Sequence, residues 1–233
     1  MKTVAVTIGI DYGPFNGDEP DWYKTAYRRL AKWSCGFVEK NLGLETRIIG
    51  EEFLHLGVGR FPPTTVKLDI FDIYKDIDRV VFFDADWRPV RKFNVFDYCP
   101  DLEKLYFTLD RQPLKGILDL EDKYGLPRNR YFNTGFFVAS RKHHELFQRA
   151  KKNYFNYHEE FFDQCVMNQD FNSEVTIANK LLNVKDIPEN FKHKIETHSD
   201  TPIYRKCDVL GYHHLMNHWI SEGWIEDFDW NEC

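Results

Sequence analysis

The sequence predicts an α/β protein built on a central, mostly parallel mixed sheet flanked by helices, folded as one domain over its 233 residues. Three observations predict it. Thr3 to Ile10 is a nearly continuous run of apolar and β-branched residues, which suits a strand buried on both faces. Segments with a helical period then alternate with such runs, the pattern of a doubly wound sheet. No Pro/Gly/Ser-rich linker, repeat or low-complexity tract divides the chain.

The elements follow in order. Asp11-Tyr12-Gly13-Pro14-Phe15-Asn16-Gly17 is turn chemistry, and Asp18 precedes Pro20 in the first turn of a helix. Tyr23, Ala26, Tyr27, Leu30, Trp33 and Phe37 keep a helical period, and Gly43 is its stop. Thr46 to Ile49 is a short second strand. Thr64 or Thr65 caps a helix carrying Val66, Ile70, Ile73, Tyr74 and Ile77 on one face. Arg79 to Phe83 is a strand that runs into Asp84-Ala85-Asp86, Tyr131 to Val138 is another, and a helix spans about His143 to Tyr154. The tail from Val209 to Trp230 is rich in His and Trp.

A chain of this length buries about 70% of its unfolded surface and needs no disulfide or metal staple. With 31 Lys and Arg against 37 Asp and Glu, net charge −6, it lacks the basic stripe of a nucleic-acid or anionic-membrane binder. The N-terminal apolar run is too short for a signal sequence, and no stretch approaches the roughly 20 apolar residues of a membrane span. Five scattered cysteines without a Cys-x-x-Cys read as reduced thiols. The expectation is a soluble, cytoplasmic protein.

Asp84 and Asp86 carry the chemistry. Residues i and i+2 of extended backbone point to one side. Two carboxylates at the mouth of a low-dielectric sheet repel each other, and a divalent cation such as Mg²⁺ or Mn²⁺ resolves that repulsion. Spacing alone is weak: with 21 Asp in 233 residues, chance gives about two Asp-x-Asp triplets. The others, Asp76-Ile77-Asp78 and Asp227-Phe228-Asp229, read as a solvated turn and part of an acidic tail. Only Asp84-Ala85-Asp86 ends a buried strand, at the carboxyl edge where ligands bind in such sheets.

Phe82-Phe83-Asp84-Ala85-Asp86 resembles the metal motif of nucleotide-sugar glycosyltransferases of the GT-A fold, above all the glycogenin-like and lipopolysaccharide galactosyltransferase-like family 8. Four further segments resemble that family in the same order. They are Val6 to Tyr12, Thr65-Val66-Lys67-Leu68, Phe132-Asn133-Thr134-Gly135-Phe136-Phe137-Val138, and Phe162-Asp163-Gln164-Cys165-Val166-Met167-Asn168. Tyr212-His213-His214-Leu215-Met216-Asn217-His218-Trp219 departs from it, lacking the family's lysine, proline and glycine, and resembles instead the His-His segment of family 32. Compact enzymes of this kind occur in bacteria and in large algal viruses.

The resemblance implies a donor substrate that is a nucleotide-diphosphate sugar, UDP-linked, with Mn²⁺ or Mg²⁺. The acceptor would be a hydroxyl of a glycan or protein, and the anomeric configuration would be retained. Asp84 and Asp86, with Ala85 between them, would hold the metal together with His213, or His214 next. A nitrogen ligand favours Mn²⁺. Thr7, Ile8, Gly9, Asp11 and Tyr12 would hold the nucleotide, with the Tyr12 ring along the base. Lys67 would meet a phosphate or donor hydroxyl. Asn133, Thr134, Asp163 and Gln164 would line the donor sugar, where amides both donate and accept. Lys67, Asp163 and Gln164 are the catalytic candidates.

Three other readings compete. A haloacid dehalogenase-type phosphatase also places Asp-x-Asp after a strand, the first carboxylate acting as nucleophile. It wants that motif on the first strand and Thr or Val two residues past the second Asp, whereas Trp87-Arg88 follows here. A non-catalytic nucleotide-sugar binding module is the second. A structural zinc site from Cys207, His213 or His214, and His218 is the third, without an evident fourth ligand. Gly57-Val58-Gly59 lacks the third glycine of a dinucleotide fingerprint.

Overall fold

The computed structural model describes residues 1–11, 23–59, 61–89, 91–110, 115–157, 162–179, 182–183 and 211–212. The strands are β1 (Thr3–Ile8), β2 (Thr46–Ile49), β3 (Arg79–Phe83), β4 (Arg88–Pro89), β5 (Leu105–Leu109), β6 (Phe132–Ser140), β7 (Val175–Ile177) and β8 (Gly211–Tyr212). The helices are α1 (Tyr23–Leu42), α2 (Pro62–Thr65), α3 (Ile70–Ile73), α4 (Lys115–Tyr124), α5 (His144–Tyr157) and α6 (Phe162–Phe171).

Six strands form one sheet in the order β2-β1-β3-β6-β5-β7. Only β6 runs against its neighbours; β1 pairs in parallel with β2 and β3, and β5 in parallel with β7. The carboxyl ends of β1, β3 and β5 therefore share one edge with the amino end of β6. Period-2 alternation sorts the core into two layers. Val80 and Phe82 of β3 face Val66, Leu68, Phe71, Phe147 and Val166, while Val81 and Phe83 face Cys35, Val38 and Trp87 on the α1 side. Phe82 and Phe137 stack at 4.7 Å between ring centroids.

The strands expected at 46–49 and 79–83 lie at those positions, and the expected α1 ends where Gly43 takes φ +67. The helix expected from Thr64 or Thr65 is corrected. It opens at Pro62, whose fixed φ and missing N–H suit a first turn. The path then breaks into a 3-10 turn over Val66–Asp69 and the short α3, leaving Ile77 in the following loop. Thr65 does not cap. Its hydroxyl accepts from the Val58 N–H at 2.8 Å and donates to the Pro62 carbonyl at 2.8 Å.

Gly9 closes β1 against α1. A Cβ there would lie 2.8 Å from Ile48 Cγ2, 3.0 Å from Ala31 Cβ and 3.4 Å from Arg28 Cα. Its N–H also donates to the Ile49 carbonyl at 2.9 Å. Gly9→Ala is expected to cost about 1–3 kcal/mol by overpacking. Urea unfolding reads this, and an unchanged midpoint would show that α1 can move away freely.

Candidate functional site

The shared edge is built by local devices. The buried Glu121 of α4 accepts N–H groups from Asn129, Arg130 and Tyr131 at 2.9–3.1 Å, which aims the chain into β6. There β6 bulges. Phe107 of β5 pairs with Phe137, but Thr108 pairs with Asn133, so residues 134–136 have no counterpart on β5. A bulge re-aims side chains at a strand end. Asn168 of α6 clasps the same strand, accepting from Phe132 N–H and donating to its carbonyl, both at 2.8 Å. That bond sets the first turn of α6, with Asp163 and Gln164, against Asn133 and Thr134.

The Asp84–Trp87 turn is equally anchored. Asp84 N–H donates to the Gly135 carbonyl at 2.8 Å, Trp87 N–H to the Asp84 carbonyl at 2.9 Å, and Ser34 Oγ to the Ala85 carbonyl at 2.6 Å. The Trp87 ring is buried 4.9 Å from Phe136 and its indole N–H donates to the Leu182 carbonyl at 3.0 Å. Ala85 is buried, whereas Asp84 and Asp86 are half-exposed. The two carboxyl groups thus flank a fixed, buried residue at the mouth of the sheet.

Lys67 sits under that mouth. It lies in the 3-10 turn with its side chain 4% exposed, 4.8 Å above the Phe82 ring. Its Nζ is 3.0 Å from Asp163 Oδ2 and 3.5 Å from Asp84 Oδ1. Burial by itself pushes the ammonium pKa down, but Asp163 and Asp84 together outweigh it and hold it above the usual lysine value. Asp163, itself buried, also accepts from Thr134 Oγ1 at 2.8 Å. Gln164 Oε1 accepts from Asn133 Nδ2 at 2.8 Å and Thr134 N–H at 3.2 Å, and its Nε2 donates to Asp110 at 2.7 Å.

The structure therefore brings Lys67, Asp84, Ala85, Asp86, Asn133, Thr134, Asp163 and Gln164 to one place. Asp11 follows β1 at the same edge, half-buried, accepting the Arg28 N–H at 3.0 Å. Burial raises its pKa and Glu51 adds to this, with the Arg28 N–H opposing. Ile8 packs against the core, and Thr7 is fully buried, its hydroxyl without a hydrogen-bond partner among the described residues. Tyr12, His213 and His214 lie outside the described residues, as do Cys207 and His218 of the zinc reading. Their chain context is partly visible, because β8 pairs with β4, Tyr212 opposite Arg88. Among the described residues no group of three or more His, Cys, Asp or Glu forms a metal cluster.

Three polar residues of this edge escape sequence reasoning: Asp110, Thr108 and Asn183. For Asp110 a signal existed. It ends the apolar run Leu105 to Leu109, as Asp84 ends β3. Asn183 carries none, since only the fold brings it to Asn133. No helix among the described residues is long and apolar enough to cross a membrane.

No protein-family model matches this chain, and no curated protein matches it. Solved structures do. The galactosyltransferase LgtC, in complex with donor and acceptor sugar analogs, aligns with TM-score 0.60 at 19% identity, over 95% of this chain and 94% of that one. A glycosyltransferase involved in glycosylation of the major capsid of PBCV-1 gives 0.59 at 10% identity, over 97% and 100%. Mouse xyloside xylosyltransferase 1 gives 0.53 at 10% identity, over 94% and 99%. The fold is thus the one these glycosyltransferases share, the GT-A arrangement of a mixed sheet between helices.

Proposed function

We propose that this chain is a glycosyltransferase that moves a sugar from a nucleotide-diphosphate sugar, UDP-linked in our reading, to a hydroxyl of a glycan or protein acceptor. One observation carries the proposal. In a fold shared with glycosyltransferases, a buried lysine, a half-exposed Asp-x-Asp turn and a bulged amide-rich strand meet at one sheet edge.

The residues fit a hard divalent cation: Asp84 and Asp86 offer oxygen ligands on the open side of an anchored turn. His213 or His214 would complete the set, with Mn²⁺ favoured over Mg²⁺. In the sequence His213 follows Tyr212, which pairs with Arg88, two residues past Asp86. When bound, the metal would offset the negative charge that grows on the departing diphosphate.

Lys67 would supply a second, preorganised positive charge beside that group, kept protonated by Asp84 and Asp163. Asp163, which lies beside Lys67 and accepts from the Thr134 hydroxyl, would line the donor sugar. Asn133 and Gln164 would orient sugar hydroxyls. The half-buried Asp11 would face the nucleotide, with Tyr12 stacking on the base. Retention of configuration and a protein or glycan acceptor rest on the family resemblance. A cytoplasmic location rests on the scattered cysteines of the sequence.

The test is a donor panel of UDP-, GDP- and dTDP-sugars with Mn²⁺, read by thermal shift and by slow donor hydrolysis. A shift and turnover confined to UDP-sugars with metal are expected. Hydrolysis of p-nitrophenyl phosphate without any sugar turnover would replace this reading with a phosphatase. Binding without any turnover, whatever acceptor is supplied, would replace it with a binding module.

A further inference from the structure

We propose that Asn183 is a positioning residue of the donor-sugar site: it sets the amide orientation of Asn133 and, through it, that of Gln164. The functional half of this inference rests on the donor reading above; the orientational half does not.

The two ends of a carboxamide have almost the same shape, so only its partners decide which way it faces. Here the decision starts from groups that can only donate. Gly135 N–H donates to Asn133 Oδ1 at 3.0 Å, and Thr134 N–H donates to Gln164 Oε1 at 3.2 Å. Asn183 Nδ2 adds a second donor to Asn133 Oδ1 at 2.8 Å and a bond to Thr108 Oγ1 at 3.0 Å. Asn133 Nδ2 is thereby turned to Gln164 Oε1, and Gln164 Nε2 is turned to Asp110. Every link runs in the same sense, from Asn183 to the Asp110 carboxylate. Reversing Asn133 would set its NH₂ group against the Gly135 N–H and the Asn183 amide, donor against donor.

Burial makes the order strict. Asn133, Gln164, Thr108 and Asn183 are each under a tenth exposed, so water does not compete for these groups. The Asn183 Oδ1 is buried without a hydrogen-bond partner among the described residues. The Asn183 amide suits this place because it supplies N–H donors to both Asn133 Oδ1 and Thr108 Oγ1. Its place is set by the turn that carries the carboxylate pair, because Trp87 of that turn donates to the carbonyl of Leu182, the preceding residue. The metal-side turn and the sugar-side amides are thus tied through one short segment.

The test compares ¹⁵N-labelled wild-type protein with Asn183→Ala. In the unliganded wild type the side-chain NH₂ signals of Asn133 and Gln164 should be slowly exchanging and non-equivalent. In the alanine variant their exchange should quicken at least tenfold, and donor turnover should fall about tenfold in kcat while the Kd for UDP changes less than twofold. A folded variant with a lowered Tm but unchanged amide exchange and kcat would overturn the proposal, since Asn183 would then be only structural. If the alanine variant does not fold, Thr108→Val removes one anchor of the Asn183 amide at nearly constant volume. Faster exchange at Asn133 there supports the proposal, and wild-type exchange overturns it. Should the wild type turn over no nucleotide sugar, the donor reading fails, and the exchange measurement alone decides the orientational claim.

Discussion

Lys67→Met is expected to cost the fold about 3–5 kcal/mol, because it removes the cation from a buried ionic cluster and leaves the carboxylates behind. Asp163 is only 5% exposed, and its oxygen lies 3.0 Å from the ammonium that would be gone. The same change should lower donor turnover about 10²–10³-fold, the usual loss when one preorganised charge-stabilising group is deleted. Urea unfolding and donor hydrolysis read the two effects separately. The double variant Lys67→Met, Asp163→Asn should recover much of the stability, since removing both partners spares the uncompensated charge, but should recover none of the activity. A single-variant loss under about 1 kcal/mol, the range of exposed pairs, would show that the ammonium does not hold these carboxylates. The sign of the pKa shift limits where pH matters. A raised lysine pKa contributes stability fully below the unfolded value of 10.5 and loses it only as pH climbs through the higher folded value. Neutral-pH measurements therefore report the intact cluster.

Asp86→Ala should behave in the opposite way, with activity lost and the fold kept. Asp86 is half-exposed, and the turn around it is held by backbone groups of Asp84, Ala85 and Trp87. The change should cost about 1 kcal/mol or less. Metal-dependent donor turnover should fall more than about 100-fold, beyond what removing even an outer-shell partner of a metal does. Manganese titration followed by thermal shift gives a reading independent of turnover: the wild type should be stabilised and the variant not. Wild-type activity in Asp86→Ala would remove the carboxylate pair from the site altogether. Together the two variants separate a residue that is part of the buried frame from one that faces the opening.

Local signals were enough for β1, β3 and β6, but β5, which also ends at this edge, is not among the strands that the sequence reading predicts. Val80 to Phe83 is apolar throughout because both faces of the strand are buried, and the residues that follow turn polar where the sheet meets solvent. The partial exposure of Asp84 and Asp86 past the strand end could be read for the same reason, although residues 84–87 form a turn rather than the extended backbone expected. The path around Lys67 could not. Its periodicity suggests one helix, but Pro62-Pro63 starts the turn early and the Thr65 hydroxyl, bonded to Val58 and Pro62, holds the chain in short segments. A lysine in such a run reads equally as a surface residue. Only its packing over Phe82, between Asp84 and Asp163, makes it a buried cation.

What the sequence determined by itself is the alternation of buried strands and helices, the polar residues that end those strands, and the net acidic charge. These depend on neighbours a few residues apart, and periodicity records them directly. Tertiary structure alone decided the antiparallel insertion of β6, its bulge over residues 134–136, and the meeting of Lys67 with Asp163 and of Asn133 with Asn183. Those contacts join residues more than 20 positions apart, so no local pattern encodes them. They form because desolvated charges and amides must find partners, and the folded sheet edge is where partners of the right kind come together.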